Sequence, residues 1–174
     1  MMKGLTASRT RKIALCGILA ALTTGLLYLC CMTPLDLTAV MASALITTLC
    51  VIEAGSGYAW IFGAVTATLA VLILPDKLYA IEYALFGAAY PILKGYIERL
   101  PKIPAFIIKI AMMDLMLLGC LLLAKFVFLA GDDYYSLEFL TMLIGTAMFV
   151  LFDFTLTKCI SFYVKILRKK LKIK

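Results

Sequence analysis

Residues Ile13 to Met32 read IALCGILAALTTGLLYLCCM, twenty residues without a charge, directly after the basic pair Arg11-Lys12. A bilayer's hydrocarbon core is about 30 Å thick, and about 20 apolar residues in a helix cross it with every backbone hydrogen bond kept internal. Five further apolar runs of the same kind follow. Working outward from the first, the spans are expected at Ile13–Met32, Leu37–Ile52, Tyr58–Leu74, Leu78–Tyr96, Ala105–Ala130 and Leu137–Tyr163. The fold class this predicts is all-α, a polytopic membrane bundle of six helices. The second and third runs are short enough that either could cross with little tilt or insert only in part.

The breaks between runs are chemically distinct. Thr33-Pro34-Leu35-Asp36 stops the first helix, Glu53-Ala54-Gly55-Ser56-Gly57 makes a tight turn, and Pro75-Asp76-Lys77 makes another. Pro101 and Pro104 bracket the fourth loop and Gly131-Asp132-Asp133 marks the fifth. Proline and glycine end helices in lipid as they do in water. A basic start before an apolar run also suits a secretory signal, but this run is too long and no small-residue cleavage site follows it, so the segment is expected to remain.

With 64% hydrophobic and 16% charged residues in 174, the chain reads as one integral membrane domain, flanked by a basic segment 1–12 and a basic tail 164–174. The net charge of +7 sits at the ends of apolar runs, which argues for a topology signal and against a nucleic-acid surface. Lysine and arginine gather in the N-terminal segment (Lys3, Arg9, Arg11, Lys12), around the fourth loop (Lys94, Arg99, Lys102) and in the tail from Lys165. The first, third and fifth loops hold Lys77 with Asp36, Asp76, Asp132 and Asp133. The expected orientation therefore puts both termini on the cytoplasmic side of the cell membrane, with the tail resting on the anionic inner leaflet. All six cysteines lie inside apolar runs and read as small core residues.

Charges within spans are the sharpest functional signal, because each costs a few kcal/mol at the bilayer centre unless paired or wetted. Glu82, one turn into the fourth span, and Lys125, near the outer end of the fifth, can meet in an outward-facing pocket with Asp36, Lys77 and Glu138 at its rim. The same pair could equally be a structural ion pair. Asp114 falls near the middle of the fifth span, where it could pair with a lysine. Tyr79, Tyr83, Tyr134 and Tyr135 share the outer level, as interface-belt residues or as stacking partners for a ligand. Lys94, Lys109, Asp153 and Lys158 fall in the inner half, and the three lysines are expected to snorkel to the headgroups. The candidate substrate-binding set is thus Asp36, Glu82, Tyr83, Asp114 and Lys125.

Gly17-x-x-x-Ala21-x-x-x-Gly25 lays a stripe of small residues along one face of the first span, where another helix can approach closely, and Gly63-x-x-x-Ala67 repeats the pattern on the third. Pro91 is expected to kink the fourth span, leaving freed carbonyls for a neighbour or a ligand to satisfy. The chain has no histidine, no glycine-rich phosphate loop and no carboxylate cluster spaced for a metal, so no enzyme, metal or cofactor is expected. Asp114 and Asp153 are the one pair of membrane aspartates and lack flanking glycines of the kind an intramembrane aspartyl enzyme needs.

The stretch from Arg11 to Leu22, the six spans in under 180 residues and the cytoplasmic termini resemble the substrate-binding S components of energy-coupling factor vitamin transporters. That resemblance implies a vitamin or small metabolite bound near the outer surface, by later helices and the loop after the first, which is where Asp36, Glu82 and Lys125 are placed. It also implies docking to a transmembrane coupling protein and its ATPases through the first helix. There Gly17, Ala21 and Gly25 take the place of alanines four apart. A second stretch, Phe86-Gly87-Ala88-Ala89-Tyr90-Pro91-Ile92-Leu93-Lys94 followed by Glu98-Arg99, resembles membrane proteins of Firmicutes, with no activity attached. A structural or regulatory membrane protein, docking a partner through the same stripe, is the alternative.

Overall fold

The computed structural model describes the chain except residues 1, 34, 128–137 and 168–174, and leaves out in addition the side chains of 2–8, 36, 102, 124–127, 138–141 and 166–167. The fifth loop and most of the basic tail therefore lie outside the described residues. Within them the structure is all-helical. α1 is Met2–Cys30, α2 Asp36–Glu53, α3 Ser56–Ile73, α4 Lys77–Glu82, α5 Tyr90–Ile97, α6 Lys102–Val127 and α7 Glu138–Phe162. A π-helical stretch, Tyr83–Ala89, joins α4 to α5 into one rod, and a second, Tyr163–Leu167, ends α7.

Four stretches, Arg9–Cys30, Ser56–Ile73, Ile103–Leu123 and Met142–Lys165, are long and apolar enough to cross a membrane. The apolar stretch of α2, Leu37–Glu53, is shorter, and the α4–α5 rod carries Glu82 and Lys94. The exterior agrees with a membrane protein. Ile18, Leu22 and Leu29 on α1, Ile107 and Leu115 on α6, and Leu143, Leu151 and Phe154 on α7 all point outward. The interior, by contrast, holds Thr23, Ser43, Thr47, Thr48 and Thr66. A soluble protein would not expose so much apolar surface, whereas small and hydroxyl side chains let membrane helices pack closely. The buried hydroxyls return their protons to carbonyls a turn back, as Thr23 does to Leu19 O (2.8 Å) and Thr66 to Phe62 O (2.9 Å).

Turn chemistry explains the joints. Gly55 sits at φ 99 between α2 and α3, a left-handed conformation that disfavours any side chain. Asp76 caps α4 by accepting from the backbone N–H of Leu78 (2.8 Å) and Tyr79 (3.3 Å). Lys77, expected at a pocket rim, instead donates to Val71 O (2.8 Å) and Leu74 O (2.7 Å) and closes the C-terminus of α3.

Pro91 does break the regular ladder, and the π-helical stretch absorbs the break. Tyr90 donates its N–H to Leu85 O, five residues back. Pro91 has no N–H to offer the carbonyl four residues earlier, that of Gly87. Thr47 of α2 supplies the missing donor, its hydroxyl reaching Gly87 O at 2.8 Å. A freed carbonyl is thus satisfied by a neighbouring helix.

α1 packs on α2 and α3, and these two also hold the π-helical stretch. Gly63, the first residue of the shorter stripe, is buried against Ala88 and Ile92 of the rod, so that stripe serves the interior. α6 and α7 pair with each other and meet the rest of the bundle along α2, α4 and α5. The molecule therefore divides into a bundle of α1–α5 and a two-helix unit, with a seam between them. Cysteines contribute to packing as the sequence indicates, Cys50 and Cys120 being buried. The Cys16 and Cys50 sulfurs lie 3.4 Å apart across the α1–α2 contact. In a variant with the other four cysteines replaced by serine, mild oxidation is expected to join this pair within one chain, read as a mass loss of two hydrogens and protection from maleimide. Independent labelling of both thiols after oxidation would contradict the α1–α2 packing.

Candidate functional site

The seam between the bundle and the α6–α7 unit is tied by charge. Tyr90 and Lys94 stand one turn apart on α5, and Asp153 and Thr157 one turn apart on α7, so each pair presents a single face to the other. Lys94, 1% exposed, pairs with Asp153 Oδ1 and donates to Asp153 O (2.9 Å) and Thr157 Oγ1 (2.7 Å). The Tyr90 hydroxyl donates to the same Oδ1 at 2.5 Å. Lys109, from α6, reaches Asp153 Oδ2 at 3.2 Å and Glu98 Oε1 at 3.0 Å. Glu98 also lies 3.5 Å from the Lys94 ammonium, one turn along α5. Two ammoniums, two carboxylates and a phenol thus link α5, α6 and α7, and the four charges sum to zero.

A pocket of about 240 Å³ opens beside this network. Tyr90, Lys109, Asp153 and Thr157 give it a polar end, Thr146 stands about three turns from Thr157 along α7, and Phe106, Ile110, Met113, Phe149, Val150 and Phe154 make up the rest. A second pocket of about 210 Å³ lies further along the same seam, among α2, α4, α6 and α7, with Glu82 in its wall. Phe149 belongs to both. Its ring stacks at 4.5 Å from Phe86 and lies 6.4 Å from Phe152, forming an aromatic partition between the two spaces.

No family model, curated protein or solved structure matches this chain. The site is therefore read from its own residues.

Of the residues singled out in the sequence, Glu82 lines the second pocket. Tyr83, its neighbour, turns the other way. It is fully buried and donates its hydroxyl to Thr66 Oγ1 of α3 at 2.7 Å. Asp114, which could have paired with a lysine, accepts from Thr146 Oγ1 at 2.8 Å, one side chain behind the first pocket. The side chains of Asp36, Lys125 and Glu138 lie outside the described residues, and so does the expected meeting of Glu82 with Lys125. Gly17, Ala21 and Gly25 lie on the outer face of α1, with open space where a Cβ of Gly17 or Gly25 would stand. No group of three metal-ligating side chains occurs among the described residues.

The expectation that Lys94 and Lys109 snorkel is overturned. A snorkelling lysine keeps its ammonium in water, but Lys94 is itself buried and ends on the half-buried Asp153 carboxylate, and the Lys109 side chain is only 13% exposed. Lys158 does stay exposed, with its ammonium 5.1 Å from the Phe154 ring centre. The network was missed because the four charges come from three helices. The spacings Tyr90-x-x-x-Lys94 and Asp153-x-x-x-Thr157 were the available signal.

Proposed function

We propose that this chain is a membrane-embedded binding protein for a small solute, working as the capture subunit of an ATP-driven uptake system. The observation that carries the reading is the 240 Å³ pocket set beside the Lys94–Asp153–Lys109 network at the seam. Ligand sites are concave, mostly apolar and furnished with a few convergent polar groups, and helix bundles place them between helices. A solute seated there contacts α5, α6 and α7 together, so occupancy and the fit of the two helical units are linked. Binding and reorientation then suffice, with no chemistry on the solute.

In this reading six helical segments cross the cell membrane with both termini cytoplasmic, following the distribution of basic residues. The network, and with it the pocket, falls in the inner half, which departs from the outer-surface site the resemblance implies, and Glu82 falls in the outer half. The resemblance to S components supports a separate coupling protein with ATPases as the partner. The outward-facing Gly17, Ala21 and Gly25 offer it a smooth helix face. That same face also suits the alternative of a partner-docking membrane protein without transport.

Filling the pocket discriminates between the two. Protein purified from its native membrane is expected to carry a small molecule detectable by mass spectrometry, and Ile110→Trp, which places an indole in the pocket wall, is expected to lose it. Copurification of an ATPase pair from wild type, and its loss in Gly17→Leu/Ala21→Leu, is the second expected result. A partner retained with no bound solute in wild type would favour the alternative.

A further inference from the structure

Resting on the proposed binding role, we infer that the pocket takes an amphipathic organic anion, a monocarboxylate on an apolar body, with its carboxylate on Lys109.

The chemistry of the polar end selects the charge. Asp153 lines the pocket too, but it is already shared: one oxygen holds the Lys94 ammonium and the Tyr90 hydroxyl, the other the Lys109 ammonium. A cationic solute would bring a third positive charge to a carboxylate already held between two ammoniums, and like-charge repulsion opposes it. Lys109 differs. Its ammonium can change partners: Glu98 is 39% exposed and keeps the Lys94 ammonium 3.5 Å away when it leaves Lys109, so an incoming carboxylate can replace it there. Exchange of Glu98 for a solute carboxylate leaves the balance of charge around Asp153 as it was. Three N–H groups also give the ammonium one donor beyond its two carboxylate partners.

The remaining walls select the body. An engineered apolar cavity of about 150 Å³ takes benzene, so about 240 Å³ suits an aromatic ring with a short chain, or an alkyl chain of similar bulk. Phe106, Val150 and Phe154 stand at the pocket while remaining substantially exposed on the outside of α6 and α7. The space is therefore open toward the bilayer, and a solute that partitions into lipid can reach it sideways. Two sources share this chemistry, a small aryl or alkyl acid arriving from water and a long-chain fatty acid already in the membrane.

The test uses the full chain in nanodiscs of phosphatidylcholine, which carries no net charge, with binding of 4-phenylbutyrate, octanoate, oleate and 4-phenylbutylamine measured directly. The two short acids are expected to bind and the amine not to. Lys109→Gln should weaken the acids at least tenfold, with Lys109→Arg staying within a few-fold of wild type and confirming a folded site. Oleate binding more tightly than octanoate, and competing with it, would assign the membrane as the source, whereas the reverse order assigns water. Equal binding of the amine, or acids indifferent to Lys109→Gln, overturns the inference. If no acid binds but Ile110→Trp still releases a non-acidic molecule, the anion assignment falls and the binding role stands. If wild type holds nothing by either route, both fall.

Discussion

Replacing Asp153 with alanine is expected to lower the stability of the folded chain by about 3–5 kcal/mol, the range for stripping one partner from a buried ion pair. Asp153 accepts from Tyr90, Lys94 and Lys109 at once, so its loss leaves two ammoniums with Glu98 alone between them and a phenol without its acceptor. Lys94 suffers most, since at 1% exposure it has no water to turn to. The effect should be asymmetric. Lys94→Met leaves Asp153 still paired with Lys109 and bonded to Tyr90, and the loss should be clearly smaller. The double variant Lys94→Met/Asp153→Leu is expected to recover part of the stability, because a buried pair replaced by apolar residues of similar volume is often neutral or better, while Tyr90 and Lys109 still lose their acceptor. Thermal unfolding in detergent, read by tryptophan fluorescence from Trp60, checks all three. Equal stability of Asp153→Ala and wild type would mean that the pair is solvated and the seam is held by packing alone. The double variant also separates lock from site: stable but unable to hold solute, it would show that the network serves more than the fold.

The two signals that built the sequence reading differ in range, and this sets how much of it carried through. Helix limits depend on residues beside them. The segment expected at Leu37–Ile52 is found at Asp36–Glu53, and that expected at Tyr58–Leu74 at Ser56–Ile73, because Gly55 and the Pro75-Asp76 pair act locally. Which side of a helix faces inward is a different matter. In water an apolar stripe marks the buried face, but on α6 and α7 apolar residues occupy every face apart from a few charges, with lipid outside as greasy as the core. Nothing in Lys94's own neighbourhood tells a snorkelling stem from a buried one. The decision is made by Asp153, 59 residues away on another helix. Pro91 shows the same division. That it would free a carbonyl was readable from the proline alone, whereas the donor, Thr47, is named only by the packing of α2 on the rod. The acids and bases singled out near the outer end were chosen by depth, and depth does not fix direction. Glu82 reaches a pocket, while Tyr83, one residue on, reaches Thr66.

Gly87→Ala is the substitution expected to do most harm for the fewest atoms. A Cβ there would stand 2.5 Å from Tyr83 Cδ2 and 2.7 Å from Ser43 Oγ, well inside contact distance. Neither neighbour can yield easily. Tyr83 is fully buried and anchored through its hydroxyl to Thr66, and Ser43 lies buried on α2 with its hydroxyl on Val40 O. Relief of the Ser43 clash parts α2 from the π-helical stretch, relief of the Tyr83 clash swings its ring away from Thr66, and overpacking of this kind costs about 1–3 kcal/mol. The first of these movements pulls Thr47 away from Gly87 O, and a buried carbonyl left unmet adds about 1–3 kcal/mol. Gly17→Ala is the matched control: nothing lies within 4 Å of its Cβ, so stability should be unchanged. A large fall in unfolding temperature for Gly87→Ala beside a flat result for Gly17→Ala is the expected pair of outcomes. Equal behaviour of the two would mean that α2 and the rod do not approach so closely. In that case Thr47 would not be the donor that compensates Pro91, and Gly87 O would have to find its hydrogen bond elsewhere in the α1–α5 bundle.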